Sequence, residues 1–129
     1  MASTTLYLPF STWVNVRCVT NAAFLQRATI VEQNGTQHVA TGSGEHDAPM
    51  ANGTFAIQTP SSGSSPNGYS VTVSVDTSTN NGGSWTPSGV LQGGAQVMYY
   101  QLKMVVSEDY TDNDWNDTVV QFTWWIPPS

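Results

Sequence analysis

The chain has 129 residues and a formal net charge of −6, because nine acidic residues face only three basic ones. Nucleic-acid binding through a basic surface is excluded, since neutralising phosphates requires clustered Lys and Arg. An anionic membrane surface is excluded as a partner for the same reason. The length is that of one folding unit, and we expect residues 1–129 to form a single domain.

Apolar and polar residues alternate with a period of two along most of the chain, which is typical of half-buried strands. No segment keeps helical spacing over three turns. We therefore predict an all-β fold, an antiparallel β-sandwich of about eight to nine strands, with a barrel as the alternative. Asn34-Gly35, between two apolar pairs, predicts a β-hairpin. The predicted strands are 6–8, 13–20, 28–33, 37–40, 53–58, 69–76, 96–106 and 118–125.

Two segments rich in glycine and serine, 59–68 and 78–94, are predicted to be long surface loops. Trp85 interrupts the second, and we expect its ring either to dock on the sheet or to form part of a contact surface. Three further tryptophans alternate with strand residues and are predicted to lie in the core or at an interface. They are Trp13, Trp124 and Trp125.

Cysteine and histidine chemistry is not expected in this chain. Cys18 is the single cysteine, so an intrachain disulfide cannot form, and its apolar neighbours predict a buried, unreactive thiol. His38 and His46 are isolated in turn-rich sequence, which favours surface positions over a metal or catalytic pair.

The N-terminal residues show no basic segment followed by an apolar one, so no signal peptide is evident. We expect synthesis in the cytoplasm, with non-classical export to the cell surface or outside if the protein leaves its cell. No stretch is long and apolar enough to insert into a membrane.

The acidic residues are concentrated in one segment. Five of the nine fall within ten residues, and no Lys or Arg follows them in the chain. Two apolar strand segments flank the cluster, so we expect an anchored loop. Carboxylates at this density repel one another unless a cation binds them, and the cluster therefore predicts a metal site. Its members are Glu108, Asp109, Asp112, Asp114 and Asp117.

Calcium is the metal that this donor set favours, because it takes about six to eight oxygen ligands and accepts bidentate carboxylates. Zinc would require His or Cys, and magnesium prefers to keep its waters. The EF-hand pattern does not match, since counting from Asp112 gives no glycine at the sixth place and no glutamate at the twelfth. With the amides of Asn113 and Asn116, the cluster could serve two adjacent calcium ions that share a carboxylate. A solvated acidic loop is the alternative.

The segment Ser107-Glu108-Asp109-Tyr110-Thr111-Asp112-Asn113-Asp114-Trp115-Asn116-Asp117 resembles a known motif. It is similar to the calcium loop S-E-D-G-T-D-x-D-Y-N-D of the two-calcium fucose- and mannose-binding lectins of bacteria, the Pseudomonas fucose-binding lectin family. Leu6-Tyr7-Leu8-Pro9 resembles the opening strand of that family, and Asn21 falls at its calcium-binding asparagine. Residues 41–94 match only as a compatible strand pattern.

The resemblance implies a non-enzymatic lectin for terminal mannose or fucose that assembles as a homodimer or homotetramer. One calcium ion would be held by Glu108, Asp112, Asp114 and Asp117. The other would be held by Asp114, Asn116, Asp117 and the backbone carbonyl of Asn21. The terminal carboxylate of Ser129 would enter the second calcium site of a partner subunit. The carboxylates expected to accept hydrogen bonds from sugar hydroxyls are Asp109, Asp112, Asp114 and Asp117.

Three residues after Asn21 set sugar preference in this family, and here they are Ala22, Ala23 and Phe24. The lack of a serine hydroxyl resembles members that prefer mannose, with fucose as the second choice. Phe24 departs from the family pattern and could stack on a sugar face. Other departures are Tyr110 in place of glycine, Trp115 in place of tyrosine, and a C-terminus about two residues longer.

Two other functions remain open on the residues alone. A glycoside hydrolase would use two of the carboxylates as acid and nucleophile or base, but such a pair must flank the scissile bond rather than crowd one loop. A structural calcium module of an adhesin would bind the ions and no sugar.

Overall fold

The computed structural model describes residues 2–109 and 114–126. Within these ranges the regular structure consists of eight strands, and every strand pairing is antiparallel. The predicted all-β class and strand number are therefore confirmed. The strands are β1 (Ser3–Leu8), β2 (Trp13–Glu32), β3 (Gln37–Gln58), β4 (Tyr69–Ser78), β5 (Thr86–Pro87), β6 (Gly89–Val97), β7 (Tyr100–Glu108) and β8 (Thr118–Trp125).

The strands form one sheet in the order β1-β4-β2-β8-β7-β6, with β3 paired to β2 and β5 paired to β4. The two outermost strands of this order, β1 and β6, approach each other. The side-chain amide of Gln92 on β6 donates hydrogen bonds to Thr4 Oγ1 at 2.6 Å and to the Thr5 carbonyl at 2.9 Å on β1. The sheet is thus nearly closed around a core of alternating aliphatic residues, including Val71 and Val73 on β4.

Strand β2 changes its neighbour part-way along its length. Residues 15–20 pair with β8, and residues 25–32 pair with β4. Residues 21–24 lie between these two ladders and have no register partner on that side among the described residues. The change of neighbour leaves a gap beside the middle of β2, and the acidic segment between β7 and β8 lies next to it.

Four boundaries differ from the sequence predictions. Segments 13–20 and 28–33 belong to one strand, and so do 37–40 and 53–58. The predicted strand 96–106 is interrupted by a turn, where Met98 has φ +52°. The predicted loop 78–94 contains β5 and most of β6. Polar and glycine-rich strands carry little alternation, so period-two counting misses them. The other predicted loop, 59–68, contains no strand.

The predicted hairpin at Asn34-Gly35 is confirmed. The Glu32 amide donates to the Thr36 carbonyl at 2.8 Å, and Gly35 has φ +91°, which L side chains rarely adopt. The prediction for His38 is wrong: its ring is half-buried, lies 4.1 Å from the Phe55 ring centroid and contacts Glu32 Oε2 at 2.6 Å. Stacking on Phe55, which lies farther along the same strand and packs against the core, explains the burial. His46 is exposed, as predicted.

Cys18 is 1% exposed, and burial raises the pKa of its thiol to about 12, as expected for an unreactive core residue. Four of the five tryptophans divide between core and surface. Trp124 lies in the core, whereas Trp13 is 59% and Trp125 is 67% exposed. Trp85 docks on the sheet, where its ring lies 4.3 Å from the guanidinium carbon of Arg27. No helix in residues 2–109 or 114–126 could cross a membrane.

Candidate functional site

Three carboxylates meet where β7 ends and β8 begins. Glu108 is the last residue of β7, Asp117 directly precedes β8, and Asp114 lies on the segment between them. Each of the three offers an oxygen within 4.8 Å of an oxygen of the others. Glu108 is 1% and Asp117 is 3% exposed, while Asp114 is exposed. Two buried carboxylates at such distances cannot both stay ionised without a positive charge to offset their repulsion.

Two of the three basic side chains are engaged elsewhere. Arg27 forms an ion pair with Asp76 at 3.1 Å, and the Lys103 ammonium donates to the Tyr7 carbonyl at 2.8 Å. Neither the Arg27–Asp76 pair nor the His38–Glu32 pair includes a carboxylate of the cluster. The positive charge that the cluster needs is therefore not supplied by these ion pairs.

Backbone amides of the loop fix both buried carboxylates. The Trp115 amide donates to Glu108 Oε1 at 2.9 Å, and the Asp109 amide donates to Asp117 Oδ2 at 2.7 Å. Trp115 adopts φ +54°, the conformation that turns the chain back towards β8. These bonds orient one oxygen of each carboxylate before any ligand binds.

The Asp117 backbone anchors the loop to two strands. Its carbonyl accepts hydrogen bonds from the Asn21 amide at 3.0 Å and from Thr20 Oγ1 at 2.7 Å, both on β2. Its amide donates to the Ser107 carbonyl on β7 at 3.1 Å. The cluster is thus held at the gap in β2 pairing, because Thr20 is the last residue that pairs with β8.

Burial raises the pKa of the Asp117 carboxyl to about 7, and the nearby negative charges of Asp109 and Glu108 act in the same direction. The hydrogen bond from the Asp109 amide opposes this effect by stabilising the carboxylate. A bound cation would lower the pKa of the Asp117 carboxyl, since it favours the ionised form.

Asn21 and Asn116 complete the polar surroundings. The Asn21 side-chain amide donates to the Asn116 carbonyl at 3.1 Å and to Asp47 Oδ1 at 2.9 Å. The side-chain oxygen of Asn116 is buried and has no hydrogen-bond partner among the described residues. A buried oxygen without a donor is costly unless a ligand satisfies it.

This donor set fits calcium. All the groups are hard oxygen donors, and amides already orient two of the carboxylates. The unpartnered side-chain oxygen belongs to Asn116, which directly precedes the buried Asp117 in the chain. Of the predicted metal ligands, the structure brings together Glu108, Asp114 and Asp117, and it places Asn21 and Asn116 in contact beside them. Asp112 and Ser129 lie outside the described residues, as does Tyr110.

The predicted sugar-preference residues lie in the gap of β2. The Ala22 side chain is buried, at 5% exposure, whereas Ala23 is exposed and Phe24 is 42% exposed. Phe24 and Asp109 line one cavity of about 150 Å³. Of these three residues, only Ala23 and Phe24 therefore present side chains to solvent.

Asp47 is a member of the site that sequence reasoning missed. It lies on β3 with φ +54°, and its amide donates to Asn21 Oδ1 at 2.7 Å. In the sequence it is one of the scattered acids, 26 positions from its partner, so no local pattern could have revealed the contact. Thr20 was also missed, although its hydroxyl bonds to Asp117.

Comparison with known proteins identifies the family. A family model described as fucose-binding lectin II (PA-IIL) matches residues 6–126, nearly the whole chain. The chain belongs to the fucose-binding lectin II family. Because this is a lectin family, the expectation of a carbohydrate-binding protein that is not an enzyme is confirmed, and the resemblance seen in the acidic segment extends across the middle of the chain.

Solved structures of bacterial lectins are similar to this chain. A Ralstonia solanacearum high-affinity mannose-binding lectin matches with a TM-score of 0.70 and 26% identity. A Chromobacterium violaceum lectin, CV2L, solved in complex with α-methyl-fucoside, matches with a TM-score of 0.69 and 26% identity. Each comparison covers 95% of this chain and 96% of the other.

The C-terminal domain of the BC2L-C lectin from Burkholderia cenocepacia shares the fold, with a TM-score of 0.68 at 24% identity over 95% of this chain and 96% of that chain. A search of curated proteins found no match.

Proposed function

We propose that this member of the family is a calcium-dependent lectin that binds terminal mannose or fucose through two adjacent calcium ions. The observation that carries the proposal is the cluster of Glu108, Asp114 and Asp117, whose oxygens lie within 4.8 Å of one another, two of them on buried side chains. Two solved structures at 26% identity support the sugar class, since one is a mannose-binding lectin and the other is a complex with α-methyl-fucoside.

The proposed ligand sets are those implied by the sequence motif. Asp114 and Asp117 are shared by both ions, and Glu108 serves the first. The orphaned side-chain oxygen of Asn116 supports its assignment to the second ion. Asn21 is proposed to contribute its backbone carbonyl, since its side chain is already engaged with Asp47 and Asn116. Asp112 is assigned to the first ion and the Ser129 carboxylate of a second copy to the second.

Bound calcium would supply positive charge and open coordination positions for two vicinal sugar hydroxyls. The carboxylates of the chain would accept hydrogen bonds from the same hydroxyls, and such charge-assisted bonds are stronger than neutral ones. We assign this role to Asp109, Asp112, Asp114 and Asp117. Asp117 is held by amide and carbonyl contacts to β2 and β7 and by the Asp109 amide, so little ordering of this residue is required when sugar binds.

We infer a preference for mannose-configured sugars over fucose. The gap residues Ala22, Ala23 and Phe24 carry no hydroxyl, so they offer no side-chain hydrogen bond to a sugar. Ala23 and Phe24 are exposed beside the acidic loop and can contact a sugar through apolar surface.

We also propose a homodimer or homotetramer in which the C-terminus contributes across the interface. The end of β8 supports this, because Trp125 is 67% and Ile126 is 44% exposed. The Ile126 amide donates to the Tyr99 carbonyl at 2.7 Å, which joins these residues to Val97 and Met98, both more than 70% exposed. Exposed apolar residues that adjoin in this way are typical of interfaces.

The deciding experiment is titration calorimetry with methyl α-mannoside and methyl α-fucoside, in calcium and after treatment with EDTA, together with an ion count by mass spectrometry. We expect calcium-dependent heat with one or both sugars and two calcium ions per chain. Glu32→Gln is a matched control, because it neutralises a carboxylate at the Asn34-Gly35 hairpin while its amide oxygen still accepts from Tyr69 and its amide N–H can donate to the His38 ring.

Calcium binding without heat from either sugar would contradict the lectin assignment and indicate a structural calcium module. Sugar binding that survives EDTA would contradict the role of the metal. Light scattering of the full chain tests the assembly, and a monomer at micromolar concentration would contradict it.

A further inference from the structure

A cavity of about 520 Å³ lies between the C-terminal ends of β1 and β8. Its lining includes Tyr7 on β1, Phe10 in the loop that follows, and Trp124 on β8. Lys103 also lines it and lies five residues before Glu108 on β7, about 17 Å along an extended strand. The cavity is therefore separate from the metal cluster, and its volume is within the range of about 300–1,000 Å³ that small-molecule sites occupy.

The cavity follows from the way in which the sheet closes. Side chains join β1 to the far edge of the sheet, since Gln92 on β6 bonds to Thr4 and Thr5, and the Lys103 ammonium on β7 donates to the Tyr7 carbonyl at 2.8 Å. A closure made by long side chains leaves space that paired strands, about 4.7–4.9 Å apart, would fill. The cavity is thus part of the fold and exists before a ligand arrives.

The charge in the lining favours an anion. Lys103 lines the cavity, and no Asp or Glu is among the lining residues that the structure describes. Its ammonium carries three N–H donors, and the Tyr7 carbonyl that accepts from it is a neutral group, which does not offset its charge. A carboxylate placed here would form a charge-assisted hydrogen bond in a partly desolvated site.

A second donor beside Lys103 indicates the same kind of ligand. Gln101 Nε2 is buried and has no hydrogen-bond partner among the described residues. Gln101 lies two residues from Lys103 on the same face of β7, and its cross-strand partner is Trp124. Both of these neighbours line the cavity. A buried donor without an acceptor is costly, and the second oxygen of a carboxylate bound at Lys103 would satisfy it.

The inner walls are aromatic and fixed by packing. Trp124 is 6% exposed, and Phe10 is half-buried and packs against the core. Such rings can stack on a flat ligand with little further loss of side-chain freedom. Trp125 and Ile126, assigned above to the assembly, also line the cavity, but the contacts proposed below do not involve them.

We propose that this cavity binds a small aromatic carboxylate. The carboxylate pairs with the Lys103 ammonium and the Gln101 amide, and the ring stacks against Phe10 and Trp124. An aliphatic acid would make no stacking contact with these walls, and an uncharged aromatic molecule would leave the ammonium without a counter-charge. The site gives the chain a second ligand, whose binding requires neither calcium nor sugar.

The test is titration calorimetry of the full chain in EDTA, which removes calcium that would itself attract a carboxylate. The probes are 1-naphthoate, its uncharged isostere 1-naphthamide, and acetate, which has the charge without the ring. We expect 1-naphthoate to bind about ten- to hundredfold more tightly than 1-naphthamide, as one charge-assisted hydrogen bond predicts. Acetate should give no measurable heat.

Variants of Lys103 locate the anion. Lys103→Met removes the charge at similar side-chain length, so 1-naphthoate and 1-naphthamide should bind equally, whereas Lys103→Arg should retain the preference. Arg17→Met, at an exposed cation on β2 outside the lining, is the matched control and should leave the preference unchanged. Phe10→Ala should weaken both naphthyl probes by about three- to tenfold. Circular dichroism checks that the variants are folded.

Equal affinities of 1-naphthoate and 1-naphthamide for the wild-type chain, or no heat from either, would overturn the proposal. A preference for 1-naphthoate that Lys103→Met keeps and Arg17→Met removes would place the anion elsewhere and would overturn it too. These outcomes are independent of the proposed lectin function, which calorimetry with methyl α-mannoside in calcium measures separately.

Discussion

Asn21 and Asp47 hold each other through two hydrogen bonds of opposite direction. The Asn21 side-chain amide donates to Asp47 Oδ1 at 2.9 Å, and the Asp47 amide donates to Asn21 Oδ1 at 2.7 Å. The pair joins β2 to the irregular part of β3, where Asp47 has φ +54°. It therefore fixes the strand that carries the proposed carbonyl ligand.

Removing the Asp47 carboxylate should weaken calcium binding without unfolding the chain. We expect Asp47→Ala to lower calcium affinity by about three- to tenfold, since it loses a hydrogen bond worth on the order of 1 kcal/mol and frees Asn21 to move. Asp47→Asn keeps an acceptor and tolerates positive φ, so it should bind calcium nearly as the wild type does. Glu45→Ala, at an exposed carboxylate two positions away, is the control, and calcium calorimetry is the measurement.

Asp114 and Asp109 should differ in their importance for sugar binding. Asp114→Ala removes a carboxylate proposed to serve both ions, so we expect loss of measurable binding to methyl α-mannoside. Asp109→Ala removes only a hydrogen-bond acceptor and should weaken binding by about tenfold. Equal affinities of the two variants would contradict the two-ion assignment.

The stability of the calcium-free chain should fall as pH rises from about 4 to 7. The pKa of Asp117 is about 7 in the folded chain, above the value of roughly 3.9 of a free aspartate. In this interval the folded state keeps a proton that the unfolded state has lost, so raising the pH favours unfolding, and the change from this group levels off about one unit above the folded pKa. Urea unfolding in EDTA at several pH values measures the effect.

Asp117→Asn is the control for this pH dependence, because an amide cannot titrate. The variant should show a smaller loss of stability between pH 4 and 7 than the wild-type chain. Saturating calcium should also remove the loss in the wild type, since the metal favours the ionised carboxylate. A wild-type chain in EDTA whose stability rises over this interval would contradict the assignment.

Gly53 and Gly93 provide a matched pair for packing. A Cβ on Gly53 would lie 2.8 Å from the Met50 carbonyl oxygen and 2.9 Å from the Cys18 carbonyl oxygen, whereas a Cβ on Gly93 would meet no atom within 4 Å. We expect Gly53→Ala to lower the free energy of unfolding by about 1–3 kcal/mol and Gly93→Ala to leave it unchanged or slightly raised. Chemical denaturation checks both, and equal effects would contradict the steric argument.

The fold class could be predicted because alternation is strong in the core strands, where Val71, Val73 and Val75 all point inward. The strands within 78–94 could not be predicted, since β6 has exposed glycines and glutamines along most of its length. Strand β6 forms because its backbone pairs with that of β7, and this pairing does not depend on the β6 side chains. Tertiary pairing here overrides local preference.

The acidic cluster could be predicted because its members are close in sequence. Glu108 and Asp117 are nine positions apart, and the apolar strands on either side show that their segment is anchored. The partners from other strands could not be predicted, because Thr20 and Asp47 reach the site only through the sheet. The burial of Ala22 depends on the same pairing, opposite Gly44 on β3.

Strand β2 changes its neighbour at residues 21–24, so the residues proposed to set sugar preference are not the ones that pair with β4 or β8. Residues 21–24 contribute no ladder bonds to β4 or β8, although they stand in the middle of a 20-residue strand. We therefore expect substitutions at the exposed positions Ala23 and Phe24 to change which glycan is bound without disturbing the register of the sheet. Such independence is what allows one scaffold to diversify: related chains can acquire new specificities by mutation at these positions while the metal loop and the core stay as they are.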